Sequence, residues 1–96
     1  MLRITSNEAP DRLVLKLEGK LVGAWVPELE SCWRTTVTRS GSRPLVVDIT
    51  DVQCIDAAGR YTLALLHLCG AQLTASGPMS DLVHEITKSW PAAARA

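Results

Sequence analysis

Asp48, Asp51 and Asp56 fall within nine residues of one another. Carboxylates that close could share a divalent cation through oxygen ligands. Asp48, however, follows an apolar run and is better suited to satisfying nearby backbone donors. Cys54 and His67 could form a thiolate–imidazole pair. Cys54 sits between Val52 and Ile55 without a basic neighbour in sequence to stabilise a thiolate, and His67 lies about three turns into the helix that follows. The expectation is therefore no catalytic residue, no metal ligand and no cofactor. A third chemistry concerns Leu45-Val46-Val47-Asp48-Ile49, then Cys54-Ile55-Asp56-Ala57-Ala58-Gly59, then the helical run Leu63-Ala64-Leu65-Leu66-His67-Leu68. This reads as a buried strand, a short loop and a helix that starts at Asp56. Such a helix start offers free N–H groups and a positive dipole end, a place for an anion or a phosphoacceptor. Here the two residues after Asp56 are alanines, so the stage is present without its hydroxyl. Asp56 also fits a helix N-cap. Arg60 sits in the first helical turn, against the dipole preference. It is expected to face a partner or a small anion, or else to pair with Asp51 or Asp56.

The elements that must position these residues follow from periodicity. Leu2 to Thr5 reads as a short strand, and Asn7 to Arg12, with Pro10-Asp11, as a turn. Leu13, Leu15 and Leu17 alternate on one face of a second strand, antiparallel to the first. A first helix over 25–38 places Trp25, Leu29, Cys32, Trp33 and Thr36 on one stripe. Leu45 to Ile49 is continuous and apolar, the pattern of a strand covered on part of both faces. The second helix runs from Ala57 to Cys69 and stops at Gly70. Its stripe is Ala58, Thr62, Leu65, Leu66 and Cys69, widened by Leu63 and Leu68. Ala71, Leu73 and Ala75 mark a fourth strand. A third helix spans 80–89, with Ser80 as N-cap and Leu82, Val83, Ile86 and Trp90 as its apolar face. The order β-β-α-β-α-β-α predicts a mixed α/β fold: a single sheet of about four strands with three helices packed on it and parallel β-α-β units. The domain spans 1–90, and 91–96 is a flexible tail.

Composition narrows the function. The 96 residues suit one domain. Ten basic residues balance ten acidic ones, which gives no footprint for nucleic acid. No apolar run approaches the ~18 residues that span a bilayer, and Met1-Leu2-Arg3-Ile4-Thr5 has no signal-peptide core. A bacterial or other cytosolic location without direct membrane insertion is therefore expected. Cys32, Cys54 and Cys69 are separated by 22 and 15 positions, matching no zinc pattern, and are expected to be free and buried. An apolar patch of Val22, Trp25 and Val26 beside the loop is the favoured docking surface, with Trp33 assigned to the core.

The element order and three segments together resemble the STAS domain family over about residues 10 to 90. Leu17-Glu18-Gly19-Lys20-Leu21 is similar to that family's strand-to-helix motif. Val46 through Gly59 resembles its strand and switch loop, which usually ends Asp-Ser-Ser-Gly-Leu. Gly70 through Gly77 resembles the next strand. The family includes bacterial anti-sigma factor antagonists, stressosome subunits, small subunits of phospholipid-transport complexes and the cytoplasmic tails of sulfate transporters. The resemblance implies a partner-binding loop at Asp56, Ala57, Ala58, Gly59 and Arg60. In switchable antagonists a Ser or Thr in this loop is phosphorylated by a kinase that is also the anti-sigma factor. Those acceptor positions fall on Ala57 and Ala58. Val22 replaces an Asp that antagonists often carry, and Arg60 replaces the usual Leu.

The sequence thus predicts a non-enzymatic protein-interaction domain, an anti-sigma factor antagonist-like regulator without the usual phosphorylation site. Its expected partner is an anti-sigma factor of kinase type or another STAS-type subunit, and free edge strands would permit a homodimer. Two alternatives are an accessory subunit of a bacterial ATP-binding cassette lipid-transport complex and a small-ligand or nucleotide sensor.

Overall fold

Leu13, Leu15 and Leu17 are fully buried while Val14, Lys16 and Glu18, which alternate with them, are half-buried. This period of two means that one face of the sheet is covered and the other open. The computed structural model describes residues 2–89. Along the chain the elements are β1 (Leu2–Ala9), β2 (Arg12–Leu21), α1 (Trp25–Ser40), β3 (Leu45–Ile55), α2 (Ala57–Leu68), β4 (Gln72–Thr74) and α3 (Met79–Ser89). The four strands form one sheet in the order β1-β2-β3-β4. β1 and β2 are antiparallel; β2–β3 and β3–β4 are parallel. The predicted element order and mixed sheet are therefore correct. Trp90 and the 91–96 segment lie outside the described residues.

Several boundaries move, each for a physical reason. β1 continues past Thr5, because Ser6, Asn7, Glu8 and Ala9 pair residue by residue with Leu15, Val14, Leu13 and Arg12. Only Pro10 and Asp11 form the turn, and polar residues are tolerated on an edge strand. Glu8 then accepts from Arg39 Nη2 and Arg43 Nη2, both at 2.9 Å, and Arg43 Nη1 donates to the Ala9 carbonyl at 3.1 Å. This fastens the hairpin to the end of α1. β2 extends to Leu21 through a register shift at Gly19, whose φ of 101° a side chain would strain. β3 likewise does not stop at Ile49. It pairs with β2 as far as Ile55, so Thr50 to Ile55 is strand and Asp56 alone links it to α2.

The core lies on one side of the sheet. Leu13, Leu15, Leu17, Leu45, Val47, Ile49 and Leu73 meet Leu29 and Trp33 of α1, Leu63 and Leu66 of α2 and Ile86 of α3. Among the described residues no helix gives β3 the expected second cover: Val46, Asp48 and Thr50 share the other face with Lys16, Glu18 and Thr74, where Lys16 Nζ lies 3.2 Å from Asp51 Oδ2. The α1 stripe is rotated slightly, to Val26, Leu29, Trp33, Thr36 and Ser40. Cys32 is half-buried against the core. The α2 stripe is rotated further. Gly59, Thr62, Leu63, Ala64 and Leu66 are buried, whereas Ala58, Leu65, Leu68 and Cys69 are exposed. On a helix apolar nearly all round, periodicity does not choose the inward face. In α3, Ile86 is buried, with Leu82 and Val83 beside the core. Ser80 is not its N-cap: it lies within the helix, and its hydroxyl donates back to the Gly77 carbonyl at 2.7 Å.

Candidate functional site

The site is built where β3 ends beside β2 and turns directly into α2. Asp56 has extended backbone and caps α2: its Oδ1 accepts from Gly59 N at 2.8 Å. Its Oδ2 accepts from Gly23 N at 2.9 Å, and its own N–H donates to the Leu21 carbonyl at 3.3 Å. One carboxylate thus closes the first turn of α2 and also holds the turn between β2 and α1. Gly23 serves as donor at φ 54°, a backbone conformation that glycine adopts without steric cost. The N–H groups of Gly23 and Gly59 favour the ionised form and lower the Asp56 pKa below the ordinary aspartate value.

Gly59 is buried under the same crossing. A Cβ there would lie 2.5 Å from the Leu21 carbonyl oxygen and 3.0 Å from both Ile55 Cγ2 and Leu21 Cγ. The Asp-x-x-Gly spacing therefore has a structural cause: Asp caps the helix, and Gly three residues on lets α2 cross β2 at backbone distance. Ala57 and Ala58, between them, are exposed. Thr62 is buried. The Thr50 hydroxyl donates to Asp48 Oδ1 at 2.6 Å and accepts from Ser76 N at 3.0 Å. Tyr61 is the exposed hydroxyl of this turn.

The remaining expected residues separate. Arg60 pairs with neither Asp51 nor Asp56; its Nη2 lies 2.9 Å from Glu85 Oε1 on α3. The aspartates also part: Asp48 accepts from Thr50, Asp51 pairs with Lys16 and Asp56 is the cap. Among the described residues no three His, Cys, Asp or Glu side chains converge. All three cysteines are free, and contrary to expectation Cys54 and Cys69 are exposed. Cys54 stands near the start of α2 and His67 in its last turn, about 15 Å along the axis at 1.5 Å per residue, too far for a nucleophile–base pair. The Val22-Trp25-Val26 patch is broken: Val26 is buried, Val22 half-buried and Trp25 38% exposed. Sequence reasoning missed Gly23 and Glu85, which position Asp56 and Arg60, and misassigned Leu65 and Leu68, which with Tyr61 form the outer face of α2. A helix with apolar residues in every direction was the available signal. An open groove of about 670 Å³ is lined by Arg12, Val46, His67, Gln72 and Thr87 among others and touches none of Asp56 to Arg60.

Among the described residues no helix is long and apolar enough to cross a membrane. No protein-family model matches the chain, and no curated relative does. Solved structures do. An anti-sigma factor antagonist from Mycobacterium paratuberculosis superposes with a TM-score of 0.76 at 20% identity, covering 95% of this chain and 84% of that one. A protein with a SpoIIAA-like fold from Shewanella loihica superposes at 0.61 and 16% identity, covering 94% and 80%. The chain has the STAS-like fold of these proteins: a four-stranded mixed sheet with three helices in the order β-β-α-β-α-β-α.

Proposed function

We propose that this protein is a non-enzymatic STAS-like interaction domain, an anti-sigma factor antagonist-like regulator that engages its partner through the first turn of α2. The observation that carries this reading is the exposed Ala57-Ala58 pair, held between the Asp56 cap and the buried Gly59. That turn is fixed by two carboxylate hydrogen bonds and a close backbone crossing, so it presents a preformed surface at little ordering cost. Trp25 lies near it across the Gly23–Asp56 bond, and Tyr61 and Leu65 continue it along α2. The fold it shares with an anti-sigma factor antagonist supports the same direction.

The missing hydroxyl gives the reading its regulatory content. The positions matching the family's phosphoacceptor are alanines, and the neighbouring Thr50 and Thr62 are bonded or buried. The domain then stays in the equivalent of the unphosphorylated, partner-binding state. The test is affinity purification of the tagged protein from its native cells with mass spectrometry, beside an Ala58→Glu variant that places a negative charge on the presented surface. Recovery of a kinase-type anti-sigma factor, reduced at least tenfold by Ala58→Glu, is expected. Recovery of ATP-binding cassette transporter subunits instead would replace this reading with the accessory one. No specific partner for either bait would overturn it.

A further inference from the structure

Every residue from Gly70 to Thr74 lines the open groove of about 670 Å³ at the β4 side of the sheet. A smaller hollow of about 250 Å³ adjoins it at Leu73 and Thr74 and reaches Ala75, with Ser80, Val83 and His84 of α3 along it. β4 is the outer strand of the sheet, and among the described residues its main chain bonds no strand but β3. The groove is lined from both faces of that edge. Gln72 and Thr74 are exposed and stand with Arg12 on the open face, whereas His67 of α2 and Thr87 of α3 stand on the helix-covered face beside Leu73. A compact ligand reaches one face or the other; a strand laid against β4 sends alternate side chains to both. His67 Nε2 is buried and has no hydrogen-bond partner among the described residues, where a buried polar atom normally has one. The other edge of the sheet differs, because Glu8 of β1 is held by Arg39 and Arg43 and its helix side is already covered.

We infer that an extended, acidic segment of a partner protein adds to β4 as a fifth strand. In such an addition the main-chain bonds to the free edge give affinity and the alternate side chains give selectivity. The sign of the charge follows from the lining. Neither hollow carries a carboxylate, and the titratable side chains along them are Arg12, His67 and His84. Arg12 forms no ion pair among the described residues. Acidic residues at alternate positions of the added strand then face Arg12, while apolar or hydroxyl-bearing ones face Leu73, Thr87 and the unpaired His67 nitrogen. β4 has three residues, so the main-chain bonds are few and the complex is weak, with a dissociation constant on the order of 10 μM to 1 mM. The groove lies at the opposite end of α2 from Asp56 to Arg60, so the inference does not rest on the proposed function.

The experiment titrates the purified, isotope-labelled full chain with an acetylated and amidated Val-Glu-Val-Glu-Val peptide and follows the backbone amides by NMR. Saturable shifts centred on Gly70 to Ala75 are expected, with slower hydrogen exchange of the β4 N–H groups that point away from β3. Replacing both glutamates of the peptide by lysine, or methylating every peptide nitrogen, is expected to weaken binding at least tenfold. Arg12→Glu, whose own amide spectrum reports an intact fold, is expected to reverse the preference between the acidic and the basic peptide. No saturable shift up to about 1 mM peptide overturns the inference. So do equal affinities for the acidic and basic peptides, full binding of the methylated one, or shifts centred on Ala57 to Leu65. Slow exchange of the outward β4 N–H groups before any peptide is added also overturns it. If that protection survives dilution, this chain covers its own edge; if dilution removes it, a second copy does. Peptide binding at β4 beside failed partner capture overturns only the proposed function.

Discussion

Asp56 and Gly59 show how one short motif serves two elements. The Asp56 carboxylate bonds Gly59 N and Gly23 N, so Asp56→Ala removes a helix cap and a turn anchor together. The expected result is a fall in Tm of about 4–8 °C, as for the loss of one cap in a domain of this size, measured by thermal unfolding near pH 7. The same bonds set a pH dependence. Because they lower the folded pKa of Asp56 below its unfolded value, their contribution is complete above the ordinary aspartate pKa. It is lost as pH falls through the depressed one. Asp56→Ala should therefore lose less Tm than the wild type between about pH 4 and pH 2, and equal slopes would refute the assignment. Gly59→Ala tests the other half of the motif. Alanine favours a helix by roughly 1 kcal/mol over glycine, yet here its Cβ meets the Leu21 carbonyl oxygen and strand side chains. Net destabilisation of about 1–3 kcal/mol is expected in urea unfolding. A stabilised variant would mean that α2 and β2 do not cross this closely.

At the scale of elements, α2 is the most informative segment and the one the sequence described least well. Its apolar residues point in all directions, so the periodicity that placed Leu65 in the core had no polar face to correct it. The structure resolves the choice through neighbours: β2 claims Gly59, and Glu85 of α3 draws Arg60 to that side. α1 was more legible, because Glu28, Glu30, Arg34 and Arg39 mark its outer face and Glu30 pairs with Arg34 along it at 3.4 Å. β3 read as a strand that ends at Ile49 and gives way to a loop, because Thr50, Asp51 and Gln53 interrupt the apolar run, although they lie in a strand whose other face is open.

For the whole molecule, stability rests on a single one-sided core. Leu17 is completely buried at its centre, and Leu17→Ala should cost about 2–5 kcal/mol in chemical denaturation with little change in m. That is a large share of the roughly 5–15 kcal/mol typical of a domain. A cost below 1 kcal/mol would show that the core is loosely packed.

The sequence by itself determined the order of elements, the α/β class, the leucine face of β2 and the capping role of Asp56. These depend on local periodicity and on chemistry within one turn of chain, where residue type alone carries the information. Only the tertiary structure decided which side of α2 faces the core, that β3 runs on to Ile55, that Arg60 answers to Glu85 and that Asp56 also binds Gly23. Each of those depends on a partner brought close from elsewhere in the chain, or on a choice between faces of equal hydrophobicity, and neither is written in local pattern. The surface available for binding follows from those choices, because turning α2 inward on Gly59 and Leu63 is what leaves Ala58, Tyr61, Leu65 and Leu68 outside.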